Sequence, residues 1–562
     1  MALALASVSG CSSTAPPDGA LASGGSTASG GRSVGNGGST QEIEGGTAGS
    51  GGSSGGNGTT SSGGFRPAGG SQGTGLVPSE SGGASGDGGS VPTAGSGGST
   101  SSSGGVSGAG GSMVGSGGSN GGAPTVSGET VDGDTCSFVV SHTRSEAIGT
   151  VEIVTWSTDL AGVVEADIEF GLAGRELSMV APVNLDEPGH RTLLLGMKGA
   201  RDYAFRIVAR SVESTCTSAE VVFTTGAVPD WVPVITKSTS SEGASKGFIV
   251  TTPGFDLLRS RGDFMVPSVY VFDTDGDVVW WSPRLVRDPT SARIGWDGTV
   301  MWLVDLYEKG ILRISMDGMV VEEIPGLEDA HHDFAVLKDG GIATMLRGKP
   351  ESFVEVAPDG TITTIVEDLS TLYDADTFHP NAVHYHPEDE SYTLSDLYLE
   401  GFVKFTRSGE LVWQLGGKSP KGPSFELVGL EPWVGNHGHH LTADGRFLFF
   451  NNDAPSANPA VPPNMRPSAI IEVALDENDW TATKTWDYSA ELFSRQLGDV
   501  QRLPNGNVLV TYSNAGVIEE VTPSGEVVQA FDNSRANEEW GVGMAMFGYA
   551  TFRTSLYGEP PR

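Results

Sequence analysis

Asp275-Gly276-Asp277-Val278-Val279-Trp280 is the stretch that decides the fold, because it joins a tight turn directly to an apolar strand. Asp-Gly and Asn-Gly pairs favour the two-residue turns of β-hairpins. The pattern recurs after Pro229, and a second, related turn starts other hairpins. The first kind returns at Asp317-Gly318, Asp359-Gly360, Ser408-Gly409 and Ser524-Gly525, and the second lies at Asp297-Gly298, Asp339-Gly340, Asp444-Gly445 and Asn505-Gly506. The repetition predicts a chain of β-hairpins.

These hairpins group in pairs. Two hairpins per unit give four strands, which is the blade of a β-propeller. Six units of roughly 45 to 60 residues can be placed after Pro229. The sequence therefore predicts a six-bladed β-propeller over residues 227–562, with five or seven blades as the alternatives.

Residues 129–226 show a different pattern, in which short runs alternate apolar and polar residues, as in Val151–Trp156 and Tyr203–Val208. Many short alternating strands predict a β-sandwich of the immunoglobulin or fibronectin-III type, so the fold class is all-β. Cys136 and Cys216 lie near the two ends of this segment. We expect a disulfide between them in an exported protein, with two unpaired buried thiols as the alternative.

The first part of the chain has a composition unlike the rest. Residues 12–128 are dominated by Gly, Ser and Thr, and such a segment buries too little apolar surface to offset its ordering entropy. We expect a disordered linker. Residues 1–11 form a short apolar run that ends in Val8-Ser9-Gly10-Cys11 and resembles a truncated lipoprotein-type signal with its lipobox. Lipidation at Cys11 predicts an exported, periplasmic or cell-surface lipoprotein.

The net charge of −36 argues against a nucleic-acid partner, because phosphate backbones would be repelled. No run approaches the ~18 apolar residues of a membrane-spanning helix, so contact with the membrane is expected through the lipid anchor only. The oligomeric state stays open, with a homodimer as one alternative.

Eight of the ten histidines fall between His331 and His440. They form three clusters: His331 with His332; His379 with His384 and His386; and His437 with His439 and His440. Eight positions before a turn glycine lie His332 and His437, and the same offset gives Thr290 and Gly498 in two other units. Because the innermost strand of each blade lines the central channel, we expect these imidazoles to converge near the axis.

Converging imidazoles allow three interpretations. They could form a nucleophile with acid and base partners, a role that suits histidine near neutral pH. With the carboxylates of Asp333 and Asp376 they could bind a metal ion. They could instead be structural and bond buried backbone between blades. Their recurrence at comparable positions favours a functional role.

Longer stretches of residues 226–562 resemble the bacterial arylsulfate sulfotransferase (arylsulfotransferase) family, which works independently of the nucleotide donor PAPS. The matching stretches are His331-His332-Asp333-Phe334, Asp376-Thr377-Phe378-His379-Pro380-Asn381-Ala382-Val383, His437-Gly438-His439-His440-Leu441 with Phe450-Asn451-Asn452, Val500–Val510 and Phe552–Gly558. The resemblance implies a six-bladed propeller behind a small β-sandwich. It also implies sulfuryl transfer from an aryl sulfate to a phenolic acceptor through a sulfo-histidine, without a cofactor and with no metal ligands assigned.

The resemblance assigns roles to particular residues. His437 would be the nucleophile. His379 and one or both of His331 and His332 would hold the sulfate oxygens or serve the phenol oxygens. Asn381 would support the site.

One position departs from the family pattern. The family has an arginine about eighteen residues after the equivalent of His379, where this chain has Leu397. Loss of such a cationic donor can cost about 10²–10³ in rate. Lys404, Arg347 and His440 are candidates to bring the missing charge, and Lys404 and His440 are predicted to bind substrate. The departure leaves an alternative function, a non-catalytic surface-anchored propeller that binds a ligand or a protein in its central funnel.

Overall fold

The protein, seen here as a computed structural model, is described over nine stretches of the chain. These are residues 128–253, 268–286, 288–306, 309–373, 378–417, 420–442, 444–453, 467–533 and 547–560. The predicted signal segment 1–11 with the lipidation site Cys11, the predicted linker as far as residue 127, and Asp376 lie outside the described residues.

Regular structure in these stretches is almost entirely β. The strands form eight sheets. The helical segments among the described residues are single 3-10 turns at Pro188–His190, Leu369–Leu372 and Ser513–Ala515. No helix in the described stretches combines the length and apolar character that crossing a membrane requires. The prediction of an all-β chain is confirmed.

Two sheets are built from residues before Thr225. The first has the strand order β1-β2-β3-β6, and the second has the order β5-β4-β7-β8 with β9 paired to β7. The strands are β1 Glu129–Asp132, β2 Ser137–Arg144, β3 Glu152–Thr158, β4 Val163–Leu172, β5 Met179–Pro182, β6 Thr192–Leu194, β7 Asp202–Ser211, β8 Thr215–Thr217 and β9 Val221–Thr224.

These two sheets share one hydrophobic core, because strands such as β3 bury alternate side chains. Trp156, Ile168 and Phe205 are fully buried in it. The predicted disulfide between Cys136 and Cys216 is present beside this core. The immunoglobulin or fibronectin-III assignment stays a prediction.

Six further sheets follow. Their strand orders are β13-β12-β11-β35, β14 to β17, β18 to β21, β22 to β25, β26-β30-β29-β28-β27, and β10-β34-β33-β32-β31. The strands as far as β21 are β10 Thr236–Ser240, β11 Phe248–Thr251, β12 Tyr270–Asp273, β13 Val278–Trp281, β14 Pro289–Ile294, β15 Val300–Asp305, β16 Gly310–Ser315, β17 Val321–Glu323, β18 Ala330–Val336, β19 Ile342–Leu346, β20 Ser352–Val356 and β21 Ile362–Val366.

The remaining strands are β22 Pro380–His386, β23 Ser391–Asp396, β24 Gly401–Thr406, β25 Leu411–Gly416, β26 Glu426–Val428, β27 Asn436–Leu441, β28 Arg446–Asn451, β29 Ala469–Asp476, β30 Thr481–Tyr488, β31 Asp499–Arg502, β32 Val508–Tyr512, β33 Val517–Val521, β34 Val527–Asp532 and β35 Thr551–Arg553. Neighbouring strands in these sheets are antiparallel except for the β26–β30 pair, which is parallel.

The glycines of the predicted hairpin turns all have positive φ angles, a backbone conformation that residues with a Cβ rarely adopt. They are Gly276, Gly298, Gly318, Gly340, Gly360, Gly409, Gly445, Gly506 and Gly525. The turns therefore lie where the sequence places them.

The two ends of this region interlock. The early strand β10 pairs with β34, with Thr236 opposite Asp532, and the late strand β35 pairs with β11, with Phe552 opposite Ile249. The successive four- and five-stranded sheets are consistent with a propeller-like fold. The closed ring of six blades and the boundaries at residues 129, 226 and 227 stay predictions.

The amino-terminal pair of sheets contacts the first sheets of this region. The Ser145 hydroxyl donates to the Asp317 carbonyl at 2.6 Å, and the Tyr557 hydroxyl donates to the Leu193 carbonyl at 2.9 Å. These bonds join residues that are far apart in sequence, so they hold the sandwich and the propeller-like region together.

Candidate functional site

The eight clustered histidines separate into two groups along the inner strands. The first histidine group is His331, His332, His379 and His437, and the second histidine group is His384, His386, His439 and His440. Around β22, His384 lies five positions after His379, which corresponds to about 16 Å of extended strand. The strands thus carry one group near their starts and the other near their ends.

In the first group, three imidazoles form a continuous contact. Nδ1 of His331 lies 2.7 Å from Nδ1 of His332, so one of these nitrogens carries a proton and donates it. The rings of His332 and His379 lie edge to face with their centroids 4.8 Å apart. The His379 ring also contacts Tyr398, at 5.3 Å between centroids. The sequence prediction that His331, His332 and His379 converge agrees with this placement.

His332 has a strained backbone. Its φ angle is +59°, in the left-handed region, and it lies where β18 loses register against β19, between Ala330 and Phe334. Such a conformation costs a residue with a Cβ about 1–2 kcal/mol. The Thr290 hydroxyl donates to the His332 carbonyl at 2.7 Å, which holds the residue in place. Strained residues of this kind are concentrated at functional sites.

His437 is held by Asn452, which directly follows the next strand, β28. Its Nδ1 lies 2.7 Å from Oδ1 of Asn452. Nδ2 of Asn452 donates to the carbonyls of Ser494 and Leu497, each at 2.8 Å, which leaves the amide oxygen facing the ring. Because that oxygen can only accept, His437 must donate from Nδ1, and the neutral ring keeps its lone pair on Nε2.

Burial keeps the first group neutral. Desolvation lowers the pKa of His437 to about 4 and the pKa of His331 to about 3, and it also lowers the pKa values of His332 and His379. At neutral pH a neutral His437 has its Nε2 lone pair available as a nucleophile.

Arg347 supplies positive charge to this group. After burial, its guanidinium is the next largest cause of the lowered pKa values of His331 and His379. Leu397, at the position of the family arginine, is partly exposed, and its backbone N–H donates to the His379 carbonyl at 3.0 Å. Of the three candidates to replace the family arginine, Arg347 is the one that acts on the first histidine group.

Asp396 anchors the backbone around His379. Its carboxylate accepts the backbone N–H of His379 at 2.7 Å and those of Tyr398 and Leu399 at 2.9 and 2.7 Å. Burial raises its pKa to about 7, although the three N–H groups oppose that rise. The carboxylate is therefore engaged with the loop backbone.

Asn381 lies on β22 and is fully buried. Its Nδ2 donates to the carbonyl of Asn436, the residue before His437, at 2.8 Å. Its Oδ1 has no hydrogen-bond partner among the described residues. Asn381 therefore joins β22 to β27, two residues after His379 and next to the residue that precedes His437.

A buried ion pair links the inner strands β14, β18 and β22. Arg293 donates to both carboxylate oxygens of Asp333, at 2.9 and 3.0 Å. The same carboxylate accepts from the Ser291 hydroxyl at 2.7 Å and from the Val383 backbone N–H at 3.1 Å. Asp333 is thus occupied by protein donors. In the part of the chain that the structure describes, no three His, Cys, Asp or Glu side chains are arranged to hold a metal ion.

The structure places His440 and Lys404 away from the first group. The His440 ring contacts His384, with centroids 5.0 Å apart, and Lys404 pairs with Asp389 at 2.7 Å. In the second group the Thr393 hydroxyl lies 2.8 Å from Nε2 of both His386 and His439. Any substrate contact of His440 would therefore be made at the second group.

Sequence reasoning identified all four members of the first group but assigned no role to Asn452 and saw no second group. Asn452 lay within a matching stretch, and that was its only signal. The separation of His384 and His386 from His379 had a signal in sequence spacing, because residues five or more positions apart on an extended strand lie about 16 Å or more apart. The separation of His439 and His440 from His437 had no such signal.

No curated protein matches this chain. Among solved structures, the chain is similar to a protein of unknown function from Bacteroides caccae, with 12% identity and a TM-score of 0.37 over 54% of this chain and 98% of that one. It is similar to a putative 6-phosphogluconolactonase from Bacteroides uniformis, with 13% identity and a TM-score of 0.35 over 62% and 94%. It is also similar to an inactive variant of virginiamycin B lyase from Staphylococcus aureus, with 13% identity and a TM-score of 0.33 over 52% and 87%. Similarities this weak carry no argument.

The family comparison is more specific. The sequence model of the arylsulfotransferase (ASST) family matches residues 361–547. This segment contains His379, Asn381, His437 and Asn452, and it confirms the family resemblance found in the sequence. Residues 361–547 are therefore similar to the arylsulfotransferase family.

Proposed function

We propose that this protein transfers a sulfuryl group from an aryl sulfate to a phenolic acceptor, with His437 as the nucleophile and a sulfo-histidine as the intermediate. The observation that carries the proposal is the hydrogen bond between His437 and Asn452, 2.7 Å long, within the segment that matches the family. It leaves Nε2 of a neutral imidazole as the nucleophilic atom.

In the first half-reaction, Nε2 of His437 attacks the sulfur of the aryl sulfate. The Nε2–S bond forms while the bond from sulfur to the aryl oxygen breaks, and its electrons leave with the phenolate. Nδ1 keeps its proton because the amide oxygen Oδ1 of Asn452 accepts the hydrogen bond but is too weak a base to take the proton. The sulfated ring is therefore cationic and a good leaving group for the next step.

In the second half-reaction, the acceptor phenol attacks the sulfo-histidine. Its proton passes to a neutral imidazole of the first group, that of His379 or His332, while its oxygen forms the new bond to sulfur. The electrons of the N–S bond return to Nε2. The imidazole releases its proton to solvent, where the first phenolate takes up a proton, so that the cycle balances.

Negative charge on the three sulfuryl oxygens has to be stabilised in both steps, since fixed donors supply most of the catalysis in transfers of this type. Arg347 provides the positive charge near the first group. The His331–His332 pair has one further N–H to offer, because its other N–H is used in the bond between the two Nδ1 atoms, and Nδ2 of Asn381 is a further donor. In this proposal Arg347 takes over the role of the family arginine that Leu397 replaces.

The cellular location of the protein is also a proposal. The disulfide between Cys136 and Cys216 is compatible with export into an oxidising compartment. We propose a periplasmic or cell-surface protein anchored through a lipid on Cys11, with small phenols and aryl sulfates as its partners. Metabolic labelling with a radioactive fatty acid tests the anchor, and label that persists after Cys11→Ser contradicts it.

The test of the activity is the intact mass of the full chain after brief incubation with excess 4-nitrophenyl sulfate. A gain of about 80 Da together with nitrophenol release is expected for the native chain and for the control His142→Ala, which lies in the sandwich. The variant His437→Ala should show neither. A mass gain that persists in His437→Ala would move the nucleophile to another residue.

Leu397 favours one alternative function, a non-catalytic propeller that binds a ligand or a protein in its funnel. The same experiment separates the two. If the native chain is folded and gives neither adduct nor nitrophenol with several aryl sulfates, the binding function replaces the catalytic one.

A further inference from the structure

The second histidine group lines a cavity that the proposed chemistry does not use. The cavity has a volume of about 510 Å³, and His384, His386, His439 and His440 lie on its wall. None of the first histidine group lies on that wall as far as the structure describes it. A volume of this order is typical of pockets for small organic molecules.

One side of the cavity is aromatic. Trp296, Tyr385 and Phe552 line it, and each is at least nine-tenths buried. The rings of Trp296 and Tyr385 meet edge to face with their centroids 6.4 Å apart. Such a wall suits the flat face of an aromatic ligand.

The polar side of the cavity offers hydrogen-bond donors. Nδ1 of His440 accepts the backbone N–H of Arg502 at 3.0 Å, so the neutral ring of His440 carries its proton on Nε2. The His384 ring lies perpendicular to it, with centroids 5.0 Å apart, and its buried Nδ1 has no partner among the described residues. These two imidazoles are placed to form hydrogen bonds with oxygen atoms of a ligand.

The charges around the cavity favour an anion. The carboxylate of Asp333 is occupied by Arg293, and Glu472 is shared by Arg446 and Arg502. Arg553 is buried and donates to the carbonyls of Ser555 and Gly558, and Asp297 is the carboxylate whose charge acts on it.

The remaining acids on the wall add little negative charge to the interior of the cavity. Asp444 and Glu388 are exposed at the surface. Burial raises the pKa of Asp499 to about 7, so this carboxyl is partly neutral at neutral pH. The interior is therefore poor in negative charge.

We propose that this cavity is a second ligand site, which binds a small aromatic anion with its ring against Trp296 and Tyr385 and its oxyanion at His384 and His440. An aryl sulfonate, sulfate or carboxylate would meet these requirements. The site is separate from the first histidine group, and its existence does not depend on the proposed sulfuryl transfer.

Calorimetric titration of the full chain with naphthalene-2-sulfonate tests the proposal. The carbon–sulfur bond of this probe cannot donate a sulfuryl group, so binding is measured without turnover. The variant His440→Leu should weaken binding at least tenfold. The control Arg313→Leu should leave binding unchanged, because Arg313 pairs with Glu322 and is not among the described residues that line the cavity. The uncharged 2-naphthol should bind at least tenfold more weakly, and 2-naphthoate distinguishes a preference for carboxylates from one for sulfonates.

Two results would overturn the proposal. The first is a loss of binding in Arg347→Leu with full binding in His440→Leu, which would assign the ligand to the first group. The second is the absence of binding at millimolar probe. If circular dichroism shows that His440→Leu is unfolded, His384→Asn takes its place with the same expected loss.

Discussion

Oδ1 of Asn452 accepts a hydrogen bond from Nδ1 of His437 at 2.7 Å, and this contact decides which nitrogen of the histidine can react. The Asn452 amide cannot rotate by 180° to exchange Oδ1 and Nδ2, because Nδ2 donates to the carbonyls of Ser494 and Leu497. Asn452 is a positioning residue: it acts on the substrate only through His437. The Asn452 amide and the carbonyls of Ser494 and Leu497 together select the His437 tautomer that has its proton on Nδ1.

Asn452→Leu should abolish that selection while nearly preserving side-chain size. We expect the rate of sulfo-histidine formation to fall by about 10²-fold or more, with little change in KM, because a wrong tautomer at a catalytic histidine is known to cost as much as 10⁴. Nitrogen NMR of the His437 ring should show a mixture of tautomers. Asn478→Leu, an exposed asparagine, is the control, and an undiminished rate with a single tautomer in Asn452→Leu would contradict the assignment.

Arg347→Leu should lower the transfer rate by about 10²–10³, the usual effect of removing one donor to a developing oxyanion. It should also raise the pKa of His379, because the positive charge of Arg347 helps to lower that pKa. Stopped-flow nitrophenol release and proton NMR of the His379 ring measure the two effects. Arg313→Leu is the matched control, since Arg313 pairs with Glu322 on the neighbouring strand. A normal rate together with an unshifted His379 pKa would exclude Arg347 from the site.

Leu397→Arg restores the residue that the family has at this position. Leu397 is partly exposed and its backbone is bonded to His379, so a longer cationic side chain has room beside the first histidine group. We expect the double variant Arg347→Leu, Leu397→Arg to recover at least tenfold of the rate that Arg347→Leu loses. Steady-state kinetics with 4-nitrophenyl sulfate measure this recovery. No recovery in a folded double variant would show that the two positions cannot substitute for one another.

Acid should begin to destabilise the folded chain near pH 6.5, where an ordinary histidine is half protonated. Eight described histidines have pKa values below their ordinary value of 6.5, with burial as the largest cause. The unfolded chain therefore binds more protons than the folded chain once the pH falls below 6.5. The stability that these neutral rings contribute is fully present above pH 6.5 and is lost as the pH falls toward 4.

At pH 5, a single histidine with the lowered pKa of His437, about 4, costs about 2 kcal/mol of unfolding free energy. Urea unfolding at pH 7.5, 6 and 5 checks the trend. Nitrophenol burst kinetics should show an acid limb near pH 4 in place of 6.5, as long as the chain stays folded. A constant unfolding free energy across this range would mean that the rings are more solvated than the structure indicates.

The disulfide should stabilise the sandwich. It closes a loop with a sequence separation of 80 residues, and removing a bridge of this loop length typically costs about 2–4 kcal/mol. The double variant Cys136→Ser, Cys216→Ser should therefore unfold at lower urea concentration when tryptophan fluorescence is followed. Reduction of the native chain should have the same effect, and the reductant should not change the double variant.

Several features could be predicted because they depend on neighbours in the chain. Hairpin turns need a residue that tolerates positive φ, and each predicted turn glycine, Gly276 and Gly445 among them, has such an angle. The alternation in residues 151–156 was enough to predict a strand there, because successive side chains of a strand face opposite sides. The first histidine group could be predicted because equivalent slots of a repeated unit come to one end of the inner strands.

Other features could not be predicted from residues that are adjacent in the sequence. Sequence reasoning treated His379, His384 and His386 as one cluster, although His379 directly precedes β22 and the other two lie toward its far end. It also proposed three candidate cations without choosing among them. Lys404 is held by Asp389 and His440 lies at the second group, so Arg347 is the one that acts on the first group.

The sequence by itself determined the all-β class and the hairpin turns, because both follow from a local conformational preference repeated along the chain. It also supplied the cysteine pair and, through the family resemblance, the histidines of the first group. Only the tertiary structure decided the partner of His437, the anchoring role of Asp396, and the existence of a second histidine group with its own cavity. These features depend on side chains from different strands meeting across sheets, such as Asn452 with Ser494. Contacts of this kind are determined by strand register and by the packing of neighbouring sheets, which no local pattern of residues encodes.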